Sequence, residues 1–299
     1  MFQLAAFGCL MFLCSCATTS HQTAIVPATE LPGDVTFKRG ADRLIVKLRL
    51  ENGQELPFLL DTGTTITYLP FGTKSMLPEL GKRVSTATGR AKEKLGLYVA
   101  PKLYLGNTQL MTGNLVVSYG GKTAILGMDC LRRYCIQLNF AAGKIRFLDP
   151  NDADSAGWGT PFPLTFHYNL PLIRDGLLGE NGSETLVDTG DYSDGRLTRR
   201  QLEEAVREQN GRFALRIEHG VAKGHWHGAA TFQHFVWDGQ TYTAVAIFES
   251  RQPSIGLRFL ARHELVTFDF PKRMMYVSQQ LNPNWKHNLW EDNLFHAHR

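Results

Sequence analysis

Cysteine is scarce where a fold would use it. Of five in the chain, Cys9, Cys14 and Cys16 lie at the extreme N-terminus, and only Cys130 and Cys135 lie in the body. A disulfide framework is therefore excluded as the main source of stability. Five residues apart in one continuous helix, the two thiols would sit on divergent faces and too far apart to bond. A bond needs the helix to end between them, and two buried free thiols are the expectation. Charge of one sign is also lacking. The formal net charge is +4 over 299 residues, with no basic stripe interleaved with aromatics, which predicts no nucleic-acid partner. No apolar run is long enough to span a bilayer comfortably; Leu4 to Cys14 comes nearest. Metal-ligand spacing is missing as well. His225-Trp226-His227, with His219 nearby, finds no Cys, Asp or Glu partners at a completing distance, so these read as surface hairpin residues, and neither metal nor cofactor is expected. No nucleophile elbow supports Ser-His-Asp catalysis, and His167 beside Tyr168 reads as a strand residue. What remains, 43% apolar and 20% charged, is the balance of a folded soluble body with length for two domains.

The N-terminus reads as an address. Residues 1–15 have the apolar run of a secretory signal peptide. Leu13-Cys14-Ser15-Cys16 resembles a bacterial lipobox. That resemblance implies cleavage before Cys16, a lipid on its sulfur, and a membrane contact made through the lipid anchor. Ala17 rather than Asp after the cysteine looks like an outer-membrane address facing the periplasm of a Gram-negative cell. Residues 16–33 are then a lipidated polar tether.

The body says one thing twice. Asp61-Thr62-Gly63 follows the apolar run Leu56 to Leu60, and Asp188-Thr189-Gly190 follows Thr185-Leu186-Val187. Other landmarks repeat in step. Thr36-Phe37 matches Thr165-Phe166, and Glu51-Asn52-Gly53 matches Glu180-Asn181-Gly182, with Asn-Gly a hairpin signal. Leu103 to Thr108 matches Val236 to Thr241 as strand, turn, strand. Ile125-Leu126-Gly127 matches Ser254-Ile255-Gly256, with a Leu four residues beyond each Gly. A duplication is the economical account. It divides the chain into an N-terminal lobe at 34–150, a linker at 151–159 rich in acids and breakers, a C-terminal lobe at 160–282 and a tail at 283–299. The tail, with Trp285, His287, Trp290, Phe295, His296 and His298, reads as packing on a lobe or fraying. Alternation at period two and short apolar runs bounded by Gly, Asn and Pro predict a mostly β chain. One clear helix is expected from Arg199 to Gln209, capped by Thr198 and Gln201 and closed by Gly211. Shorter helices are expected at Phe71 to Leu80 and just after Gly127 and Gly256.

These residues together resemble the retropepsin/pepsin superfamily of aspartic peptidases over about residues 34 to 282, and most of all bacterial retropepsin-like proteins with both lobes in one chain. The resemblance implies two pseudo-twofold-related β-barrel lobes with a cleft between them. It implies that Asp61 and Asp188 form the catalytic pair. Gly63 and Gly190 would let the two loops approach, and Thr62 and Thr189 would hydrogen-bond across to the opposite loop. Gly127 and Gly256 would lie beside the loops, and hairpin flaps at Ser85 to Leu95 and Gly220 to Gly228 would cover the cleft. No dimer is required, so a monomer acting on a peptide or protein substrate is expected. Two carboxylates about 3 Å apart cannot both ionise, as in aspartic proteases generally. The ionised member can act as general base on a shared water, and the protonated one can donate to the amide carbonyl.

The two halves differ at one position beside the pair. Thr64 follows the first Asp-Thr-Gly and its hydroxyl suits support of the carboxylates, whereas Asp191 follows the second. Pointing at Asp188, Asp191 would make ionisation of the pair more costly and hold activity to acid pH; pointing to solvent, it would merely omit a hydrogen bond. Two alternatives to an endopeptidase follow. One is a weak or inactive pseudopeptidase that grips extended peptides at the cell envelope. The other is a structural lipoprotein that uses the scaffold for partner contact. Taken singly, each Asp-Thr-Gly would read as a turn with an Asx hydrogen bond.

Overall fold

A computed structural model describes residues 35–36, 38–40, 43–88, 91–148, 155–174, 184–218 and 225–285, with backbone alone for 35–40, 84–88, 91–93, 214–218 and 225–227. The signal segment, the tether with Cys16, the linker at 151–154, the second Glu-Asn-Gly turn, part of the second candidate hairpin (220–224) and the tail beyond 285 lie outside the described residues.

The first half opens with β1 (Val35–Thr36) and β2 (Lys38–Gly40), then β3 (Arg43–Leu50) and β4 (Glu55–Leu60). In β3 the alternation is clean: Leu44, Val46, Leu48 and Leu50 are buried while their neighbours face outward. β5 (Tyr68–Pro70) leads through a 3-10 turn (Phe71–Met76) into a long hairpin of β6 (Glu79–Thr88) and β7 (Ala91–Val99). The helix expected to reach Leu80 stops short because Pro78 forces Leu77 into extended backbone, ψ 131°. After it come β8 (Leu103–Leu105), β9 (Thr108–Leu110), β10 (Leu115–Tyr119), β11 (Ala124–Leu126), helix α1 (Met128–Leu131), β12 (Cys135–Asn139) and β13 (Lys144–Leu148). Helix α1 ends between Cys130 and Cys135, yet both thiols are free and buried, as expected.

The second half runs β14 (Thr160–Pro163), β15 (Thr165–His167), β16 (Leu170–Ile173), β17 (Thr185–Asp188), β18 (Gly195–Leu197) and helix α2 (Arg199–Glu208). The capping box at α2 is formed: Thr198 N donates to Gln201 Oε1 at 3.0 Å, and Gln201 N donates to Thr198 Oγ1 at 3.5 Å. Leu202 and Ala205 are its buried face, and Gly211 N closes the far end on Val206 O at 3.0 Å. Then follow β19 (Arg212–Glu218), β20 (His225–Trp237), β21 (Gln240–Glu249), β22 (Ser254–Gly256), helix α3 (Leu257–Leu260), β23 (Leu265–Asp269) and β24 (Met274–Val277).

The strands form three sheets. One belongs to the first half, in the order β6-β7-β10-β5-β11-β4-β3-β8-β9, with β2 also on β3. One belongs to the second half, in the order β15-β16-β17-β22-β18-β21-β20-β19. Read from opposite ends, the two carry the same core arrangement, down to the parallel pairs β4 with β11 and β17 with β22. Among the described residues neither closes into a barrel, so the expected barrel lobes are seen as open sheets. The halves also differ locally. β20 and β21 are continuous, whereas in the first half the corresponding path is broken at Ala100-Pro101-Lys102, and β8 swings over to pair with β3. A proline lacks the N–H that would continue the ladder.

The third sheet, β1-β13-β12-β23-β24-β14, takes three strands from each half. β12 and β23 meet antiparallel with Cys135 opposite Asp269, Gln137 opposite Thr267 and Asn139 opposite Leu265. The pairing is symmetric about its centre, where Gln137 Nε2 donates to Thr267 Oγ1 at 3.1 Å between two buried residues. The register corrects one expected match. Val35 lies opposite Ile145 as Phe162 lies opposite Met275, which sets Thr36 level with Pro163 rather than Thr165. The main core runs through both halves, from Phe58 and Tyr134 to Phe232, Phe259 and Phe268. A small separate cluster, Leu95, Leu97 and Val117 with Ile66, Tyr68 and Tyr119, lies on the strands β5, β7 and β10 beside the first loop.

Candidate active site

Each Asp-Thr-Gly sits where a strand of its sheet ends against a parallel neighbour. Asp61 follows β4, and its N–H donates to Leu126 O of β11 at 3.1 Å. Asp188 ends β17 opposite Gly256 of β22. The two loops come from different sheets, yet they are bonded to each other reciprocally. Thr62 N donates to Thr189 Oγ1 at 3.0 Å, and Thr189 N donates to Thr62 Oγ1 at 3.0 Å. Each threonine hydroxyl also donates to the strand of the other half, Thr62 Oγ1 to Val187 O at 2.6 Å and Thr189 Oγ1 to Leu60 O at 2.8 Å. Both threonines are buried. Four hydrogen bonds of this kind, made by two buried threonines, fix the relative placement of the two aspartates.

Asp61 and Asp188 hydrogen-bond to each other. A Cβ built on Gly63 would stand 2.4 Å from Asp188 Cγ, and one built on Gly190 would stand 2.4 Å from Asp61 Cγ. Any side chain at either position would overlap the opposite carboxylate, so only glycine lets the loops meet. Gly127 and Gly256 play a similar part behind the loops. Their built Cβ atoms would meet Ile66 O at 2.6 Å and Ser193 O at 2.1 Å. The backbone after each is tied to its loop, Met128 N to Thr64 O at 2.8 Å and Leu257 N to Asp191 O at 2.7 Å.

The immediate surroundings of the two acids are unequal. Asp61 accepts Gly63 N at 2.8 Å on Oδ1 and the Thr64 hydroxyl at 2.8 Å on Oδ2. Asp188 accepts the backbone donors Gly190 N at 2.9 Å and Asp191 N at 3.1 Å, both on Oδ1. Burial raises the pKa of both carboxyls above the ordinary aspartate range. Asp188 is pushed up to about 8, by burial first and then by the charges of Asp61 and Asp191. Asp61 is held back by its Thr64 and Gly63 hydrogen bonds.

Asp191 takes neither of the two orientations expected of it. Its carboxylate turns away from Asp188 into a buried network: Ser193 Oγ and N donate to Oδ1 at 2.8 and 3.1 Å, and Ser254 Oγ donates to Oδ2 at 3.1 Å. Arg196 Nε, from β18, donates to Oδ2 at 2.8 Å.

A second tier of support escaped the sequence reading. In the first half Thr67 Oγ1 donates to Asp129 Oδ1 at 2.8 Å, and Gly127 N reaches Thr67 Oγ1 at 3.3 Å. The matching positions of the second half, six residues past the Asp and two past the Gly, are Asp194 and Arg258. There Asp194 Oδ1 and Oδ2 accept Arg262 Nη2 at 2.9 and 3.1 Å, and Oδ2 also accepts Ala246 N at 2.9 Å. Arg262 lies 4.0 Å from the centre of the Trp285 ring, which packs the start of the tail against the second half. The frame of the duplication marks these positions, but nothing in their residue types, a threonine and an acid in one half and an acid and an arginine in the other, announces a common task.

No protein-family model matches the chain, and no curated protein matches it. Among the described residues no group of His, Cys, Asp or Glu is arranged to hold a metal ion.

Proposed function

We propose that the chain is an aspartic endopeptidase of the retropepsin/pepsin kind, with Asp61 and Asp188 activating one water between them. The observation that carries this reading is the reciprocal Thr62 and Thr189 lock, which brings two acids of different sheets within hydrogen-bonding distance. A pair so buried shares one proton over a wide pH range. In that form it holds a general base and a general acid side by side, and no covalent intermediate is needed to hydrolyse an amide. In this reading each half is one retropepsin-like lobe and the cleft lies between them. An extended peptide pairs along the cleft by strand addition, with the β6–β7 and β19–β20 hairpins as its flaps. The protein acts as a monomer on peptides or proteins, lipid-anchored through Cys16 at the outer membrane facing the periplasm. No helix among the described residues is long and apolar enough to cross a membrane. The pseudopeptidase alternative drew its argument from Asp191, and with that carboxylate bound to Arg196, Ser193 and Ser254 nothing favours it.

The test is digestion of a peptide library from about pH 3 to 8, a range bracketing carboxylate titration, with and without a statine-type inhibitor. Asp61→Asn and Asp188→Asn should each lower the rate by roughly 10²–10⁴-fold, the scale of a lost acid or base, while both variants melt cooperatively. Full activity in either variant ends the paired mechanism. The rate should be bell-shaped in pH. Its acid limb should lie above the ordinary carboxylate range, and its alkaline limb near the value of about 8 to which Asp188 is pushed.

A further inference from the structure

We infer that the shared proton rests on Asp188 and the negative charge on Asp61, and that Asp191 and Arg196 are the positioning residues that set this order. The catalytic meaning of the assignment rests on the peptidase reading; the location of the proton does not.

The geometry is unequal in one particular. At the position after each Asp-Thr-Gly, the first half supplies a hydroxyl and the second a carboxylate. The Thr64 hydroxyl has its hydrogen on Asp61 Oδ2, a bond that strengthens as that oxygen becomes charged. Asp188 has no side-chain donor in that place. It has instead a neighbouring anion three residues on, buried and fixed by Ser193, Ser254 and Arg196. A carboxylate held close by in a poorly hydrated place disfavours a second charge. Arg196 offsets that effect in part, since its guanidinium is paired with the Asp191 carboxylate, Nε to Oδ2 at 2.8 Å.

The other groups around the pair do not reverse the order. On the Asp61 side stand Gly63 N and the half-buried Tyr119 of β10, whose hydroxyl is committed to Thr123 O and which also feels Arg43. On the Asp188 side stand Gly190 N and, around Asp191, the uncharged Ser193 and Ser254. The burial of Asp188 and the charges of Asp61 and Asp191 beside it, which push its carboxyl up, point the same way as the hydrogen bonds.

The hydrolytic step then has a direction. Water oxygen bonds to the carbonyl carbon as Asp61 takes one of its protons. Asp188 gives its proton to the carbonyl oxygen, and a neutral gem-diol forms with the proton now on Asp61. In the second step Asp61 gives that proton to the amide nitrogen, the C–N bond breaks, and a gem-diol hydroxyl returns its proton to Asp188. One water is consumed, an acid and an amine leave, and the pair is restored.

The experiment is a ¹³C titration of aspartate carboxyl groups in the full chain, read without any substrate. In Asp61→Asn the remaining Asp188 should titrate above the remaining Asp61 of Asp188→Asn, by roughly one pH unit or more. Equal values, or the reverse order, overturn the assignment. In the wild-type pair, Asp191→Asn should lower the upper step and Arg196→Gln should raise it, because one removes the anion and the other uncovers it. Shifts of the same sign, or no shift, overturn the role of these two residues, since loosened packing alone has no reason to give opposite signs. Should Arg196→Gln fail to fold, Asp191→Asn decides alone: it keeps the size of the side chain and one of its two acceptor oxygens, and an unmoved upper step refutes the proposal. An inert protein that still shows this order retires the peptidase reading and leaves the proton where it is assigned here.

Discussion

Single residues carry the sharpest consequences at the aspartate pair. Asp188 is pushed up to about 8, whereas an unfolded chain releases its proton near the ordinary value of 3.8. The folded state therefore gains from this group only below about pH 4, and loses that contribution as pH rises toward 8. Asn in its place has nothing to release. Asp188→Asn should therefore melt close to the wild type at pH 4 and above it at pH 8, by roughly 3–8 °C for on the order of 1–3 kcal/mol in a chain of this size. Paired thermal melts at the two pH values check this, and an offset that does not grow with pH contradicts the buried, proton-holding carboxyl. The residues of the site that could be read from sequence were those whose type is dictated by a contact only they can make. Gly63 and Gly190 must lack a Cβ, and Thr62 and Thr189 must offer both a donor and an acceptor. Asp191 was legible as an anomaly but not in its orientation, because its partner Arg196 lies on a strand whose register the sequence does not disclose.

At the scale of elements, helix α2 was legible to within a residue, since its cap, buried face and stop are all local. Thr198→Ala should cost about 1 kcal/mol, the usual worth of such a cap. Chemical denaturation reads this directly, and a change indistinguishable from zero would mean that tertiary contacts alone hold the helix. The long hairpins were legible in place but not in extent. β20 runs unbroken to Trp237 and pairs antiparallel with β21, while Pro101 divides the counterpart of β20 in the first half. The short helix after β5 came out tighter and shorter than its pattern promised, because Pro78 restricts the residue before it. The level match of Thr36 with Thr165 failed for a different reason. Strand identity there is set by partners more than a hundred residues away, and a two-residue text match carries no information about them.

At the scale of the molecule, the sequence disclosed a mostly β chain in two like halves, and two like sheets are what the structure has. It did not disclose the third sheet, to which both halves contribute equally, because the pairing of β12 with β23 is a long-range event. That sheet makes a physical prediction about the linker. A protease site engineered into residues 151–154 should allow cutting without separation, and the two fragments should co-elute on size exclusion in buffer and part only in denaturant. Fragments that separate at once would mean that the shared sheet contributes little to holding the halves together.

The shared sheet also has a bearing on synthesis. When β12 leaves the ribosome its partner has yet to be translated, so Cys135–Asn139 is exposed as an open edge until Leu265–Asp269 emerges. The same stretch on a neighbouring nascent chain offers a near-equivalent edge during that interval. The rate at which residues 149 to 264 are made and kept from premature pairing therefore governs how much of the protein reaches its own second half rather than another copy's first.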